Sequence, residues 1–311
     1  MRLSLFDLHC DTAYRMQNEH QGLLDNSFSV SLRQAEAFDH YYQIMALWTG
    51  DCLDDEEGWN AMLQMLSNLQ KDRSVQEKRA LLCSACPPVS ETRAPVLMLS
   101  LEDARILGEH VERVDRLFDL GVRIITPLWR GCSCIGGAHD TSLGLTEFGK
   151  QAIRRALSRG MILDISHASH RSAEEILDLG QSLDSPVIAS HSNAYAVCPV
   201  SRNLCDAHIK RIIESGGIIG INLHRYFLRA NGNATLDDIL LHVDYFLEKG
   251  AEKALCIGAD MDGGEMPSQI PSLSHLPILA EELQKRNFSD SLIQSIFFEN
   301  AYRFARRYIN L

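Results

Sequence analysis

Residues 146–167 read TEFGKQAIRRALSRGMILDISH and hold one complete structural unit. Apolar residues at helical spacing over 146–159 predict an amphipathic helix. Gly160 then supplies a helix-stop signal, and residues 161–165 form a short, continuous apolar run. Such a run is typical of a parallel strand that is covered by helices on both faces. His167 follows this strand directly, so an imidazole side chain lies at the carboxyl end of the strand.

The same unit recurs along the whole chain. Eight short apolar runs, rich in β-branched residues, lie at 3–8, 42–48, 96–100, 122–127, 161–165, 187–189, 217–221 and 254–258. Helical periodicity fills most of the gaps between them, and a glycine stands just before four of the runs, at positions 121, 160, 216 and 250. Eight such units in 311 residues predict an α/β fold of the closed (β/α)8 TIM-barrel type.

An open, doubly wound sheet is the rival architecture. That fold usually has fewer strands and a glycine-rich turn that binds phosphate. The sequence has no G-x-G-x-x-G motif after the first apolar run and no G-x-x-x-x-G-K-[ST] motif anywhere. Since no repeat or linker divides the chain, we expect a single domain over residues 1–311, with an insertion at about 50–90.

Charge and composition argue against several classes of protein. Lys and Arg total 30 against 41 Asp and Glu, and the resulting net charge of −11 disfavours binding to nucleic acid or to anionic membranes. No apolar stretch approaches the roughly 18 residues of a membrane helix, and Asp7 precedes any signal-peptide core. Nine irregularly spaced cysteines do not suggest a disulfide framework. We therefore expect a cytoplasmic protein that binds a small molecule.

Imidazole and carboxylate side chains follow five of the predicted strands at the point where each strand ends. They are His9, Asp11, Glu102, His167, His191 and Asp260. Each has a simpler explanation when taken alone, such as a capping residue, an acidic first helical turn or an Asx turn. Together they would lie at the carboxyl edge of a barrel, where active sites form. Their types suit Zn²⁺, and their number favours two ions that share a carboxylate.

Short motifs occur in a specific order along the chain. They are DLHCD at 7–11, LSLE at 99–102, DISH at 164–167, SHS at 190–192, SRN at 201–203 and GADMDG at 258–263. This series resembles the membrane (renal) dipeptidase family, whose members are amidohydrolase-like, metal-dependent (β/α)8 barrels. The resemblance extends from Asp7 to about Arg303. It implies hydrolysis of dipeptides by a hydroxide that bridges two metal ions.

The resemblance also implies roles for individual residues. It implies two Zn²⁺ ions per chain, with Mn²⁺ or Co²⁺ as substitutes. The implied ligands are His9 and Asp11 for one ion, His167 and His191 for the other, and Glu102 for both. Asp260 would be the catalytic residue that manages protons, and Arg202 would bind the C-terminal carboxylate of the dipeptide. Dimerisation is common in the family, so the resemblance implies a homodimer.

Two positions depart from the family pattern, and both concern contacts with substrate. Trp129 stands where animal members have a histidine, and an indole only donates a hydrogen bond. His224 stands where members often have a tyrosine. His139 or Arg130 would compensate if either side chain pointed into the pocket.

The leading hypothesis is a binuclear zinc dipeptidase. A related amidohydrolase that acts on an N-acyl or D-amino-acid amide, or on a lactam, is the first alternative. The second is a barrel that has lost catalysis and only binds peptides or metal. The intact ligand set argues against this second alternative, because such proteins commonly lose a ligand or the acid–base residue.

Overall fold

The computed structural model describes residues 3–50, 53 and 55–309. Its centre is a barrel of parallel strands, and one further short strand, β3, pairs with β4. The strands are β1 (Leu5–Cys10), β2 (Tyr41–Leu47), β3 (Leu81–Leu82), β4 (Val96–Glu102), β5 (Val122–Thr126), β6 (Ile162–Asp164), β7 (Val187–Ile188), β8 (Ile219–Ile221) and β9 (Leu255–Ile257). Their spatial order is β7-β6-β5-β4-β2-β1-β9-β8. A parallel bridge between Ala189 and Ile219 joins the two ends of this order, which confirms the predicted (β/α)8 TIM barrel.

Helices follow most of the strands and cover the barrel. They are α1 (Thr12–Glu19), α2 (Leu32–Ala35), α3 (Asp55–Lys71), α4 (Arg73–Gln76), α5 (Glu112–Asp119), α6 (Glu147–Ser158), α7 (His170–Ser182), α8 (Asp206–Glu214), α9 (Arg225–Leu228), α10 (Leu236–Glu248), α11 (Pro277–Lys285), α12 (Asp290–Gln294) and α13 (Asn300–Tyr308). Short 3₁₀ turns lie at Ala104–Leu107, Ala251–Lys253 and Leu273–His275, and a π-helical turn at Ser295–Glu299 joins α12 to α13. None of the described helices combines the length and the apolar composition that crossing a bilayer requires.

The unit at 146–167 folds as its sequence predicts. The hydroxyl of Thr146 caps α6 by accepting a hydrogen bond from the backbone N–H three residues on. Gly160 takes a φ of +76° between α6 and β6. Strand β6 is shorter than the apolar run, because Oδ1 of Asp164 accepts the backbone N–H of Ser166 at 2.9 Å. This local bond turns the chain out of the sheet just before the histidine.

The lower part of the barrel interior is apolar. Alternate strand residues form one buried cluster: Phe6, Leu8, Tyr42, Ile44, Val96, Met98, Ile124, Ile162, Ile188, Ile218 and Cys256. Phe298, Ala301 and Phe304 of the C-terminal helical segment close the cluster from below. The interior is therefore a packed core, as in other barrels of this type, and only its carboxyl end is free for chemistry.

A β-bulge in β1 turns its last side chains toward the carboxyl end of the barrel. Phe6 belongs to the interior cluster, so strict alternation would send His9, three residues on, to the opposite face. The pairing of β1 with β2 shifts register between Asp7 and Cys10. Bulges of this kind are common beside active sites because they re-aim side chains. As a result His9 and Asp11 both face the carboxyl ends of the neighbouring strands.

Glycine is required where β8 and β9 pass the loop that follows β7. A Cβ atom at Gly258 would lie 1.8 Å from the carbonyl oxygen of Ser190, and one at Gly220 would lie 1.9 Å from the same atom. These distances are far below van der Waals contact, so no larger residue fits without moving backbone. The glycines let the loop that carries His191 pack closely against both strands.

The segment between β2 and β4 contains α3, α4 and β3. Residues 51, 52 and 54 of the expected insertion at about 50–90 lie outside the described residues. Helix α3 buries a methionine- and leucine-rich face, which includes Met62, Met65 and Leu69, in the main core. The eight cysteines within the described residues are free thiols, in agreement with their irregular spacing.

Candidate active site

Two groups of side chains meet at the carboxyl end of the barrel, and the first comes from β1 and β4. The Nε2 atom of His9 lies 3.3 Å from Oδ2 of Asp11 and 3.5 Å from Oε2 of Glu102. All three side chains are buried. Their ligand-type atoms lie within 4.8 Å of one another, which is close enough to surround one metal ion.

The second group comes from the loops after β6 and β7. The Nε2 atom of His167 lies 2.9 Å from Oε1 of Glu102 and 3.0 Å from Nε2 of His191. The Nε2 atom of His191 is 3.5 Å from the same Oε1. Glu102 therefore belongs to both groups, with one carboxylate oxygen toward each. The structure thus brings together all five side chains that the sequence nominates as metal ligands.

Hydrogen bonds on the far side of each imidazole fix its tautomer. The Nδ1 atom of His167 lies 3.1 Å from the carbonyl oxygen of Trp129, which only accepts, so Nδ1 carries the proton. The Nδ1 atom of His191 lies 2.6 Å from Oγ of Ser190, whose hydroxyl donates to Asp164. Each ring consequently presents an unprotonated Nε2 to the cluster. Partners of this kind orient histidines that bind metal.

These contacts fit bound cations. Two Nε2 lone pairs that face each other at 3.0 Å repel unless a positive charge lies beside them. Oδ1 of Asp11 and Oε1 of Glu102 are buried and have no hydrogen-bond partner among the described residues. Buried, unpaired carboxylate oxygens are costly. A pair of divalent ions among these imidazoles and carboxylates would satisfy all of them, and the donor set suits Zn²⁺.

The charges within the cluster shift the pKa values of its histidines in opposite directions. Burial lowers the pKa of His9, but the carboxylates of Glu102 and Asp11 outweigh it and hold that pKa well above the ordinary value. Burial and the neighbouring His9 charge keep the pKa of His191 well below its ordinary value. The carboxylates of Asp11 and Glu102 thus favour a positive charge at this position, whether a proton on His9 or a bound cation.

Asp260 lies at the end of β9, beside the first group. Its Oδ1 atom is 3.9 Å from Nε2 of His9, and its Oδ2 accepts a hydrogen bond from Nδ2 of Asn222 at 2.9 Å. Burial, with the charges of Asp11 and Glu102, raises the pKa of Asp260 to about 7. The backbone is left-handed at Asp260, with a φ of +61°.

Arg202 is bonded to the loop that carries His191. Its Nη1 donates to Oγ of Ser192 and its Nη2 to the carbonyl oxygen of His191, both at 3.2 Å. Only 4% of its surface is exposed, and its Nε is buried without a hydrogen-bond partner among the described residues. The guanidinium also lies over the ring of Phe227, at 5.5 Å from the centroid. Arg202 is thus rigidly held with one donor unpaired.

A cavity of about 350 Å³ opens above the two groups. Its wall includes Asp11, Glu102, His167 and Asp260, together with Trp48, Trp129, Arg130, His139, Asp140, His224, Phe227 and Gly263. The indole rings of Trp48 and Trp129 lie 4.8 Å apart and form one side. This volume is large enough for a molecule of two or three residues, and the wall combines apolar rings with a few polar groups.

The positions that depart from the family pattern both line this cavity. Trp129 contributes its ring to the wall and its carbonyl oxygen to His167. His224 accepts the N–H of Tyr226 at its Nδ1 atom, at 3.3 Å, so it cannot offer that atom to a ligand. His139 and Arg130, expected to compensate if they entered the pocket, do line it. Burial and the charge of Arg202 lower the pKa of His139 to about 4, so its ring is neutral.

Sequence reasoning missed three wall residues. Trp48 is the last residue of a predicted strand, so the rule that strand ends point to the active site would have found it. Asp140 accepts the N–H of Gly131 at 2.8 Å and belongs to a loop without a distinguishing motif. Phe227 lies on the short helix α9, and no pattern in the sequence points to its ring.

Comparison with known proteins identifies relatives over the whole chain. The profile of a family described as membrane dipeptidase (peptidase family M19) matches residues 1–309. A Klebsiella pneumoniae protein, described as an uncharacterized protein in the pqqA 5' region, is 28% identical over an alignment of 255 residues, and the match covers 77% of this chain and 93% of that protein.

Two solved structures share the fold. Dipeptidase AC, a metallo peptidase of family M19, superposes with a TM-score of 0.91 at 24% identity and is matched over 100% of both chains. A metallo peptidase from Rhodobacter sphaeroides, liganded with a phosphinate mimic of the dipeptide L-Ala-D-Ala, gives a TM-score of 0.91 at 23% identity, over 99% of this chain and 100% of that one.

Proposed function

The chain belongs to the membrane dipeptidase family of metal-dependent hydrolases, and on that basis we propose that it is a dipeptidase that uses two zinc ions. The observation that carries this proposal is the position of Glu102, whose two oxygens face two separate groups of ligands. Each group offers three ligand atoms. Catalytic zinc usually takes three ligands from the protein and keeps one position open.

In this proposal His9 and Asp11 hold one ion, His167 and His191 hold the other, and Glu102 lies between them. When bound, two divalent ions supply an activated water and polarise the scissile carbonyl group. Mn²⁺ or Co²⁺ would fit the same nitrogen and oxygen donors. The chain's own contribution is the fixed orientation of the donors, given by Trp129 and by Ser190 with its partner Asp164.

Asp260 carries the proton in this mechanism. The amide of Asn222 holds one of its oxygens, and the other faces the ligands from β1. From that position the carboxylate accepts a proton from the attacking water and returns it to the amine that leaves. A positioned general base and acid of this kind contributes about 100- to 10,000-fold to the rate.

Arg202 would recognise the free carboxylate of a dipeptide. Its Nη atoms are committed to protein groups, so its Nε–H is the donor that is available to substrate. A guanidinium in a water-poor site also attracts a carboxylate through its charge. Trp129 and His224 would form opposite walls around the substrate's side chains. Rigid aromatic walls favour small dipeptides over longer peptides.

The substrate class we propose is a small dipeptide with a free carboxylate. The related peptidase from Rhodobacter sphaeroides holds a mimic of L-Ala-D-Ala, so this dipeptide is the first to test. The alternative substrates, N-acyl amino acids and amides of D-amino acids, present the same carboxylate or amide groups. A cytoplasmic location and a homodimer, both expected from the sequence, stay predictions.

The test is reconstitution of the metal-free, full-length chain with zinc. Turnover of L-Ala-D-Ala and of an L,L-dipeptide panel should rise with added zinc and level off once two ions are bound in the cavity. N-acyl amino acids should be poor substrates in the same assay. Hydrolysis confined to the N-acyl compounds would overturn the substrate proposal. Full activity with a single ion bound in the cavity would overturn the proposal of a two-ion site.

A further inference from the structure

A second group of metal-type side chains lies outside the cavity, where the first turns of α7 and α8 meet. His170 is the first residue of α7, Cys205 precedes α8, and His208 lies in the first turn of α8. The Nε2 atom of His170 lies 3.9 Å from Sγ of Cys205, and the two imidazole rings have centroids 4.6 Å apart. One ligand atom from each residue lies within 4.8 Å of the other two.

His208 gives an independent indication that something binds here. Only 4% of its surface is exposed, and its Nε2 atom has no hydrogen-bond partner among the described residues. The nearest carboxylate oxygen, Oε1 of Glu174, lies 3.1 Å from this nitrogen, within ion-pair distance. A buried imidazole nitrogen without a partner is costly unless a ligand satisfies it.

The surroundings of the group are already arranged by other contacts. The Oε2 atom of Glu174 accepts a hydrogen bond from Nη1 of Arg211 at 2.6 Å, and Nη2 of the same arginine binds Asp178 at 2.7 Å. Oε1 of Glu174 consequently remains turned toward His208. A carboxylate held in this way either completes a metal's coordination or orients the imidazole beside it.

The residue at the start of α8 is itself unusual. Asn, Asp, Ser and Thr are preferred at the residue that caps a helix, because their oxygens accept free N–H groups. Here Cys205 occupies that position, and its thiol makes no capping hydrogen bond. The thiol is therefore not explained by helix capping and is free to serve as a ligand.

We propose that His170, Cys205 and His208 form a structural zinc site that is separate from the cavity. Two imidazoles and a thiolate suit Zn²⁺ better than Mg²⁺ or Ca²⁺, which prefer oxygen. Ligand nitrogen and sulfur atoms around a tetrahedral zinc are about 3.5 Å apart, from bond lengths of about 2.0 and 2.3 Å. The 3.9 Å between His170 and Cys205 needs only a small side-chain adjustment to reach that value. Glu174 or a water molecule would take the fourth position.

The location gives this site a structural consequence. His170 lies three residues after His167, and Cys205 lies three residues after Arg202. An ion bound between α7 and α8 would tie together the two loops that carry these cavity residues. Because it would bind the folded chain only, it would raise the temperature of unfolding.

The test uses Co²⁺ as the probe on the metal-free, full-length chain. A thiolate ligand gives bound Co²⁺ a near-ultraviolet charge-transfer band, whereas the imidazoles and carboxylates of the cavity give none. Cys205→Ser should abolish the band and lower the zinc content by one ion per chain. The variant should fold, because serine is a preferred capping residue. His170→Gln, at an exposed position, should weaken Co²⁺ binding at the same band by at least tenfold.

Cys132→Ser is the matched control, because Cys132 is an exposed cysteine outside the group. It should keep both the band and the zinc content of the parent protein. Absence of the band in the parent protein at saturating Co²⁺ would overturn the proposal. So would a band that survives in Cys205→Ser. Since neither readout depends on hydrolysis, the result is independent of the dipeptidase proposal.

Discussion

The two ends of the barrel are built from the same strands but hold opposite kinds of side chain. At the lower end Phe6, Tyr42 and Phe298 pack ring against ring, with centroids 5.4–6.4 Å apart. At the upper end the buried side chains are charged or imidazole groups, and Glu102 has an oxygen with no hydrogen-bond partner among the described residues. The lower end therefore stabilises the fold, and the upper end stores groups that only a ligand can satisfy.

Two fully buried histidines illustrate the same difference. His242, on α10, accepts the N–H of Ala194 at 3.2 Å and lies 3.3 Å from the carbonyl oxygen of Leu228, so both its nitrogens are paired with backbone. His191 is equally buried, yet its Nε2 has no backbone partner among the described residues and lies 3.0 Å from Nε2 of His167 and 3.5 Å from Oε1 of Glu102. Burial alone consequently does not mark a functional histidine, whereas an unpaired nitrogen does.

The largest effect should follow from Glu102→Gln at the upper end. A neutral amide cannot bridge two cations, so we expect turnover to fall at least about 1,000-fold, since metal catalysis supplies several kcal/mol. Zinc content should fall by at least one ion per chain relative to the parent protein. Glu147→Gln, at a glutamate whose side chain is 91% exposed, is the control and should change neither quantity. A Glu102→Gln protein that keeps both cavity ions and normal turnover would show that Glu102 does not bridge the two ions.

Phe298→Ala, at the lower end, should reduce stability and leave turnover nearly unchanged. Removal of a ring that packs on Phe6, Tyr42 and Tyr302 should lower the free energy of unfolding by about 3–5 kcal/mol. Turnover per folded, zinc-loaded molecule should stay within about twofold of the parent value, because the ring stabilises the core and takes no part in catalysis. Urea denaturation and an assay at low temperature measure the two quantities. Phe298→Leu, as a control, should cost less than about 1.5 kcal/mol.

Asp260→Asn separates proton transfer from metal binding within the upper end. We expect a loss of about 100- to 10,000-fold in turnover with both ions retained, because an amide neither accepts nor returns the proton. Asp262→Asn is a matched control, since Asp262 binds the N–H of Ser29 and the hydroxyl of Thr12, both at 2.7 Å. The free energy of unfolding of Asp262→Asn should be somewhat lower than that of the parent, and its turnover should change little. Equal turnover losses in the two variants would mean that a group other than Asp260 transfers the proton.

Arg202→Ala tests whether the upper end recognises the carboxylate of its substrate through this arginine. The KM for a dipeptide should rise by about 10- to 100-fold, in line with 1.5–3 kcal/mol for a hydrogen bond to a charged group. The KM for the corresponding dipeptide amide should hardly change. A parallel rise for both substrates would mean that Arg202 acts only by holding His191 in place.

The smallest effect concerns the paired histidine. Burial lowers the pKa of His242 to about 4 in the folded chain, against an ordinary value of 6.5. The unfolded chain therefore binds more protons between these values, so the stability that His242 contributes is complete above pH 6.5 and is lost as the pH falls toward 4. His242→Gln should accordingly be less stable than the parent at pH 7, by about 1 kcal/mol. As the pH falls, the folded parent is penalised because its buried His242 resists protonation, so the difference in stability should vanish near about pH 6 and reverse sign by pH 4. A difference that is constant with pH would contradict this assignment.

Much of the architecture follows from local sequence, because each strand and helix is specified over about ten residues. Residues 146–167 show this directly, with helix, stop glycine and strand where the pattern places them. The five nominated ligands also meet, since the carboxyl ends of parallel strands share one edge. The orientation of His9 does not follow from local sequence, because it depends on a bulge that the alternation of β1 does not reveal.

Contacts between elements distant in sequence could not be predicted in the same way. The pairing of His170 with Cys205 joins residues 35 positions apart and depends on how α7 packs on α8. The ring of Phe227 reaches the cavity from a four-residue helix with no distinctive pattern. The sequence motif also gave no sign that both Nη atoms of Arg202 would be bonded to the chain itself, one to Ser192 and one to the carbonyl oxygen of His191.

The most direct measurement is anomalous X-ray diffraction at the zinc edge from crystals of the full-length chain grown with zinc. We expect two anomalous peaks in the upper end of the barrel, one on each side of Glu102 and about 3.5–4 Å apart, as in other two-metal sites. One peak should touch His9 and Asp11, and the other His167 and His191. A single peak there, or none with these side chains closed on one another, would contradict the binuclear centre.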